Sequence, residues 1–219
     1  MARLARLAVA GETHLVLQRG HNGARVFADG IDRAAYLAAL REAAAVEAVQ
    51  VHAYALLDDE VRLLLTPPLA EALGRLMQAV GRRYVAGHNR RHGRSGTLWD
   101  GRYRCGVVEP GPARLDALRW IDGASAEAGS AAHRTGAVHD ALLSNPPEYW
   151  QLGNTPFDRE VAWRALLAAG LPQARAEALR HASNGGWAAG SAAFAANVAE
   201  ISGRPARPRA RGRPPRPGA

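Results

Sequence analysis

The segment from His52 to Thr66 constrains the fold of this chain more than any other. It consists of two apolar stretches on either side of the acidic turn Asp58-Asp59, which predicts an antiparallel strand pair at about residues 49–57 and 61–66. The second stretch opens with Glu60-Val61-Arg62. Because side chains alternate across a strand, Glu60 and Arg62 are predicted to leave the same face of the sheet.

The hydrophobic pattern of the other residues before 130 predicts further strands and helices on both sides of this strand pair. A strand at His14–Leu17 is followed by a helix that Asp32 caps and that runs to about Ala48. After the strand pair come a helix at about residues 69–90, a strand at about 102–108 and a helix at about 112–124. This order predicts an α+β fold, a ferredoxin-like split β-α-β sandwich with helices on one face of an antiparallel sheet.

The C-terminal third of the chain has a different composition. Residues 125–155 are rich in Ala, Gly, Ser and His and give no clear assignment, whereas 158–169, 172–182 and 191–201 predict three short helices. From Gly203 onward the chain is Arg, Pro, Gly and Ala, which predicts a disordered basic tail. We therefore divide the chain into a domain at 1–130, an irregular linker at 131–155, a small helical unit at 156–202 and a tail at 203–219.

Charge and composition narrow the class of partner. The chain has no lysine; residues 203–219 carry six arginines and no acid, and residues 75–104 carry eight arginines and one acid. Since the whole chain has a net charge of +8, these two basic segments stand on an otherwise acidic body and indicate a polyanion partner. A single cysteine, Cys105, excludes an internal disulfide and a multi-cysteine zinc site, and it fits a buried hydrophobe.

The chain has no apolar stretch of the ~20 residues that a membrane span needs. Its first ten residues hold only a short apolar run, which is too little for a secretory signal. We therefore expect a cytoplasmic, nucleoid-associated protein without a membrane partner.

Several short motifs occur together in an order that is specific as a set. They are Gln18-Arg19-Gly20 with Asn22, Val26-Phe27, His52-Ala53-Tyr54, Leu63-Leu64-Leu65-Thr66-Pro67, Gly81-Arg82-Arg83-Tyr84, Asn89-Arg90-Arg91-His92-Gly93-Arg94 and Gly96-Thr97-Leu98-Trp99-Asp100-Gly101-Arg102. Further pieces are Leu152-Gly153, Gly186-Trp187, Gly190-Ser191 and Gly212-Arg213-Pro214. Together they resemble the REP-associated tyrosine transposases, bacterial relatives of the HUH single-strand transposases.

The resemblance implies a reaction as well as the fold. In this family a histidine pair on a central strand holds a divalent metal that polarises a DNA phosphodiester, and a helix-borne tyrosine attacks the phosphorus. Aligned onto this chain, the histidine pair falls on Glu60 and Arg62, and the tyrosine falls on Trp120. The resemblance therefore implies that no catalytic residue is intact. We expect neither a metal nor another cofactor, with Mg²⁺ or Mn²⁺ relevant only if activity is retained.

Other readings of these positions stay open at the level of sequence. Glu60 with Asp58 and Asp59 could form a reworked magnesium site, or Glu60 could pair with Arg62 or another arginine. Trp120 could stack on a base or cover the sheet. The alternative nucleophiles Tyr54, Tyr84 and Tyr103 are disfavoured. No two of His14, His52, His88 and His92 are expected to pair at metal-ligand spacing.

The predicted partner is DNA, single-stranded or hairpin, of the repetitive extragenic type. Arg211-Gly212-Arg213-Pro214 matches the core of an AT-hook, whose Arg-Gly-Arg fits a narrow minor groove, although a generic polycation tail is an equal reading. A nickase that uses Glu60 and the acidic turn, a regulatory partner of an active homologue, and a homodimer remain as alternatives. The predicted DNA contacts are Arg19, Arg82, Arg83, Arg90, Arg91, Arg94, Trp99, Arg102, Arg104, Arg209, Arg211 and Arg213.

Overall fold

A computed structural model describes residues 6–125 and 127–208. Its centre is a sheet with the strand order β2-β3-β1-β4-β5, in which all neighbours are antiparallel except the parallel pair β4 and β5. The predicted strand pair and the two other predicted strands are all present. The strands are β1 (Thr13–Arg19), β2 (Gln50–Leu56), β3 (Glu60–Thr66), β4 (Arg104–Val108) and β5 (Ala188–Ala189).

The helices alternate with the strands in the predicted order. Between β1 and β2 lies α1, and between β3 and β4 lies α2, which completes the split β-α-β arrangement and confirms the α+β fold. The helices are α1 (Gly30–Val46), α2 (Ala70–Arg91), α3 (Pro112–Asp122), α4 (Ala131–Arg134), α5 (Pro147–Trp150), α6 (Pro156–Ala168), α7 (Gln173–Gly185) and α8 (Ala192–Ser202).

Helices cover both faces of the sheet. Leu63 and Leu65 of β3 point into a core shared with α1 and α2, whereas Leu64 points into a second core with α3 and the C-terminal helices. The run Leu63–Leu65 is apolar throughout because each of its faces is buried. Helices α1 and α2 form the layer that was predicted for one face of the sheet. The helices on the other face were not predicted.

The C-terminal segment joins the sheet through β5 and α7. Helix α7 packs against β4, β1 and α3, and β5 extends the sheet beside β4. Residues 203–208, predicted as the start of the tail, also lie on this edge: Ala206 is buried and its carbonyl oxygen accepts a hydrogen bond from Ala188 N. Residues 203–208 are therefore part of the folded edge, and the rest of the predicted tail, residues 209–219, lies outside the described residues.

Helix α1 begins three residues earlier than the sequence indicated, because its cap is Asp29 and not Asp32. The Asp29 carboxylate accepts hydrogen bonds from the backbone N–H groups of Ile31 and Asp32. Asp32, the predicted cap, lies in the first turn, where its buried carboxylate accepts a bond from Ala28 N. Because Asp29 is the cap, Asp32 is free to face α2.

Two of the histidines and the cysteine have structural roles. His14 Nε2 accepts a hydrogen bond from Val9 N, and His52 lies between Ser144 O and Thr66 Oγ1 at 2.7 and 2.8 Å. Burial lowers the pKa of both imidazoles to about 4, so they are neutral at physiological pH. Burial raises the pKa of the Cys105 thiol to about 12, which leaves it unreactive. None of the described helices is both long and apolar enough to cross a membrane.

Candidate functional site

Glu60, at the start of β3, is the centre of a buried ion-pair network. Its Oε2 atom lies 2.7 Å from Arg19 Nε and 3.0 Å from Arg180 Nη1, and its Oε1 atom lies 2.7 Å from Arg62 Nε. Arg180 makes a second contact to Oε1 at 3.2 Å, so its guanidinium binds the carboxylate with two nitrogens. Glu60 is 3% exposed, and both of its oxygens are occupied by arginines from β1, β3 and α7.

Trp120 lies directly against this network. The Arg62 guanidinium carbon is 4.0 Å from the centre of the indole ring, and that of Arg180 is 5.2 Å away. The neighbouring residues Leu118 and Ile121 anchor α3 in the second core, which leaves Trp120 half-buried at its margin. The three positions that the sequence alignment singled out, Glu60, Arg62 and Trp120, are therefore neighbours in space.

The electrostatics of the network favour a charged carboxylate. Burial alone would raise the pKa of Glu60, but the hydrogen bonds from Arg180, Arg62 and Arg19 outweigh it and hold that pKa at about 2. Three guanidinium groups and one carboxylate leave these four side chains with a formal charge of +2. The site thus carries fixed positive charge at neutral pH.

A divalent metal does not fit the residues at this site. The only anionic ligand, Glu60, is already bound by three arginines, and Arg62 occupies the second of the two ligand positions that the resemblance implies. Arginine stays protonated in proteins and cannot donate a lone pair to a cation. A Mg²⁺ or Mn²⁺ ion here would meet net positive charge and no free ligand among the described residues.

The acidic turn next to Glu60 does not supply a second set of ligands, because Asp58, Asp59 and Glu60 do not bring three ligand atoms within 4.8 Å of one another in the described structure. Asp58 is half-exposed and pairs with Arg25 at 2.6 Å and with Arg33 at 2.5 Å. Asp58 and Glu60 thus face different arginines. The reading in which Glu60 pairs with Arg62 and with other arginines is the one that the geometry fits.

The three alternative tyrosines are poorly placed as nucleophiles. The Tyr84 hydroxyl donates to Val26 O at 2.5 Å and the Tyr54 hydroxyl donates to Asp140 Oδ2 at 2.8 Å. Burial is the largest of the causes that raise the pKa of both phenols. Tyr103 lies under the Arg6 guanidinium, with its pKa raised to about 12, mainly by burial. Each phenol is held in its protonated, weakly nucleophilic form.

The C-terminal half of α2 and the loop after it carry the first group of exposed arginines. Arg82, Arg90 and Arg94 are exposed and make no ion pair with any carboxylate of the described residues. Arg83 instead pairs with Glu42, and Arg91 pairs with Asp29 and Asp32. Three of these five predicted DNA contacts are therefore available to a phosphate without breaking an existing salt bridge.

A second basic group surrounds a cleft between β4 and the end of α7. The cleft, of about 200 Å³, is lined by Arg6, Arg102, Arg104 and Arg204 and by no acidic side chain. Arg104 Nη1 donates to Asn184 O at 3.4 Å, which orients it toward α7. The predicted contacts Arg102 and Arg104 thus join two arginines that the sequence reasoning did not connect with them.

Trp99 does not have the exposed position that its assignment as a DNA contact assumed. It is 6% exposed and packs on the core face of the sheet, with ring centres 6.3 Å from Tyr36 and 6.1 Å from Tyr84. The adjacent Leu98 is also buried. The tryptophan anchors its loop to the core and offers no stacking surface to a base.

His88 and His92 correct another expectation, because they do form a pair. His88 lies in the last turn of α2 and His92, four residues later, caps its C-terminus, which places both rings on one side of the helix end with their centres 4.4 Å apart. Asp32 lies beside them, and His92 Nε2 is 3.0 Å from its Oδ2. The four-residue spacing of the two histidines can be read from the sequence, whereas the contact with Asp32 of α1 depends on how the two helices pack.

The remaining predicted contacts, Arg209, Arg211 and Arg213, lie outside the described residues together with the AT-hook match. Their assignment therefore stays a prediction from sequence.

Comparison with known proteins identifies the fold. No family model matches the chain, and no curated protein matches it. A solved structure described as a REP-associated tyrosine transposase bound to a REP hairpin superposes with a TM-score of 0.51 at 9% identity, covering 68% of this chain and 93% of that one. The chain shares the fold of this transposase. At this identity the match establishes the fold and not the activity.

A second, weaker match is a provisionally named transposase from Deinococcus radiodurans R1. Its TM-score is 0.39 at 21% identity, covering 55% of this chain and 96% of that one.

Proposed function

We propose that this chain is a transposase-family protein that binds DNA and does not cleave it by the family reaction. The observation that carries the proposal is the network of Glu60, Arg62 and Trp120 with Arg19 and Arg180. The two positions of the implied histidine pair and the position of the implied tyrosine are adjacent in space, as the alignment requires. Yet they offer neither a metal ligand nor a nucleophilic oxygen.

The same network supports retained affinity for a phosphate. Its formal charge of +2 equals that of the divalent cation that the family reaction would use. Guanidinium groups bind phosphate oxygens through bidentate hydrogen bonds, so fixed arginines can replace a metal in attracting a DNA strand. They cannot replace the nucleophile, because the indole of Trp120 has no oxygen.

The proposed ligand is a DNA hairpin or single strand. The structural neighbour with the shared fold is bound to a REP hairpin, and the present chain carries exposed arginines that a backbone could contact. Arg82, Arg90 and Arg94 form one such group, and the cleft with Arg102 and Arg104 forms another. Most protein–DNA hydrogen bonds go to phosphate and sugar, so these groups would give affinity rather than sequence specificity.

Two alternatives have less support. A nickase that uses Glu60 with the acidic turn needs free carboxylates, but Glu60 binds three arginines and Asp58 binds two. A regulatory partner of an active homologue, or a homodimer, needs a surface that binds a second protein chain. The contacts of Glu60, Arg62 and Trp120 give no reason to propose such a surface. Co-purification with the homologue and sedimentation of the purified chain test these two possibilities.

The experiment uses purified full chain and a labelled hairpin oligonucleotide with single-stranded flanks, in Mg²⁺ or Mn²⁺. A native gel scores the mobility shift, and a denaturing lane scores nicking and a covalent adduct. We expect a shift without nicking. Nicking that is lost in Glu60→Ala would support the nickase alternative and refute the proposal, and the absence of any shift would refute DNA binding.

Salt dependence identifies the contacts. Each phosphate contact adds about 0.7–0.9 to the magnitude of the slope of log Kobs against log salt, so replacing Arg82, Arg90 and Arg94 by alanine should lower that magnitude by about 2–3. The matched control is Arg75→Ala in the same helix, because the Arg75 guanidinium already binds Glu47 at 2.7 Å. An equal fall in both proteins would contradict the assignment of these three arginines. A truncation after residue 208 tests the tail without disturbing β5.

A further inference from the structure

The adjacent ends of α1 and α2 bring together three side chains of the metal-binding type. Asp32 comes from the first turn of α1, His88 from the last turn of α2, and His92 is the C-cap residue of α2. Each offers one ligand atom, and these atoms all lie within 4.8 Å of one another. Within residues 6–125 and 127–208, no other set of three His, Cys, Asp or Glu side chains meets this spacing.

We propose that this group, the Asp32 cluster, binds a Zn²⁺ ion and leaves one coordination position open to an anion. Two imidazoles and a carboxylate are a donor set that Zn²⁺ uses when a fourth position is kept for water or substrate. Two histidines four residues apart on a helix present both rings on one face, the spacing that known helical zinc sites use. The cluster is distinct from Glu60 and shares no residue with that network.

The distances within the cluster match the size of the ion. His92 Nε2 lies 3.0 Å and His88 Nε2 lies 3.8 Å from Asp32 Oδ2. Tetrahedral Zn²⁺ with bonds of ~2.0–2.2 Å separates its ligand atoms by about 3.3–3.6 Å. The two observed distances lie on either side of this range, so side-chain shifts of less than an ångström would suffice.

His88 lacks the hydrogen bonds that a purely structural role would give it. It is 6% exposed, and its Nδ1 atom has no hydrogen-bond partner in the described part of the chain. Its distance of 3.8 Å to Asp32 Oδ2 exceeds that of a hydrogen bond.

Asp32 is held in place by groups outside the cluster. Ala28 N donates to Asp32 Oδ2 at 2.8 Å, and Arg91 Nη1 lies 2.5 Å from Asp32 Oδ1. The same Nη1 atom lies 3.3 Å from His92 Nε2, so the guanidinium would keep its contact with Oδ1 and turn away from His92 when the metal binds. Carboxylates that bind metals are commonly oriented by such hydrogen bonds.

A basic cleft adjoins the two histidines of the Asp32 cluster. A cleft of about 370 Å³ is lined by both histidines and by Arg25 and Arg94. Arg94 makes no ion pair with a described carboxylate. An anion on the metal, such as a phosphate oxygen, would therefore meet an arginine beside it.

The test uses the metal alone. Full-length chain freed of metal with a chelator is titrated with Zn²⁺ by calorimetry, and with Co²⁺ by visible absorption, which reports tetrahedral coordination. The variants are His88→Gln and His92→Gln, with His139→Ala as the matched control because His139 is an exposed histidine beside another histidine, His133. Thermal unfolding of each metal-free variant shows that it is folded.

We expect one Zn²⁺ per chain and a Co²⁺ spectrum of tetrahedral type. Both glutamine variants should lose at least ~10-fold in metal affinity, because changes at outer-shell partners alone cost ~10–100-fold. The affinity of His139→Ala should not change. Adding inorganic phosphate should shift the Co²⁺ spectrum, and Arg94→Ala should weaken that shift. No stoichiometric binding, or equal loss in His139→Ala, would overturn the site. A spectrum insensitive to phosphate would overturn the open position. No DNA is used, so the outcome is independent of the proposed function.

Discussion

Replacing Glu60 by glutamine tests the central feature of the candidate site. The substitution keeps the size of the side chain and one hydrogen-bond acceptor, but it removes the negative charge that binds Arg19, Arg62 and Arg180. The three guanidinium groups would then repel one another around a neutral amide. We expect the protein to fold with lower stability.

The pKa of Glu60 sets the size of the loss. It falls from 4.5 to about 2 on folding, and at 1.36 kcal/mol per unit this corresponds to about 3 kcal/mol at neutral pH. Removing one partner from a buried ion pair costs about 3–5 kcal/mol in other proteins. The lower end applies here because the Arg19 side chain is 59% exposed and its contact is screened by water.

The contribution of Glu60 also has a defined pH dependence. Since its pKa is depressed in the folded state, the stabilisation is complete above about pH 4.5 and is lost as the pH falls toward about 2. About half of it should be gone near pH 3. The difference between wild type and Glu60→Gln should therefore shrink in this window.

Urea unfolding of wild type and Glu60→Gln at pH 7 and near pH 3 measures both effects. In a separate thermal unfolding experiment at pH 7, the melting temperature of Glu60→Gln should be lower by about 6–12 °C, given ~2–4 °C per kcal/mol for a chain of this size. Glu42→Gln is the control, because Glu42 pairs with Arg83 at an exposed site and should cost below about 1 kcal/mol. A difference for Glu60→Gln that is below 1 kcal/mol, or that does not change with pH, would refute the reasoning.

Two further substitutions test the packing that holds α3 and α7 in place. Arg134→Met removes the buried partner of Asp122, because Arg134 Nη1 lies 2.8 Å from the Asp122 carboxylate. It should lower the free energy of unfolding in urea by about 3 kcal/mol or more, and a neutral result would mean that Asp122 is solvated. Gly106→Ala brings a Cβ atom to 2.7 Å from Trp187 O and to 3.0 Å from Ala182 O of α7, and it should cost about 1–3 kcal/mol. The control is Gly81→Ala in helix α2, where the added Cβ meets nothing within 4 Å and should be neutral or stabilise by up to ~1 kcal/mol. Equal effects of the two glycine substitutions would contradict the close approach of α7 to β4.

The sheet and its first helices could be predicted because their signal is local. Alternating or continuous apolar runs bounded by turn residues mark β1 to β4, and helical spacing marks α1 to α3. Strand β5 has only two residues, Ala188 and Ala189, and pairs with β4 through the backbone, so it leaves no side-chain pattern. The helices that cover the second face of the sheet were not predicted, because their position depends on long-range packing of the C-terminal segment and not on a local sequence pattern.

The candidate site was predictable only in part, for the same reason. The neighbouring positions Glu60 and Arg62 follow from strand alternation, but Arg180 is 120 residues away and no local pattern connects it with them. Trp99 stands in a polar loop that indicated exposure, although the adjacent Leu98 was a sign that this part of the loop packs inward. Contacts between distant segments decide burial and pairing at these positions.

The role of Arg180 leads to a prediction about restoring activity. Changing Glu60→His, Arg62→His and Trp120→Tyr together would recreate the residue types that the resemblance implies for metal binding and attack. It would also remove the only carboxylate that Arg19 and Arg180 bind in the described structure, and leave both cations facing the new metal position. We therefore expect the triple variant to show no Mg²⁺- or Mn²⁺-dependent nicking of a hairpin. Adding Arg180→Ala removes the bidentate cation, so nicking is expected only in the quadruple variant. Nicking by the triple variant itself would contradict this, because it would mean that α7 does not block the metal.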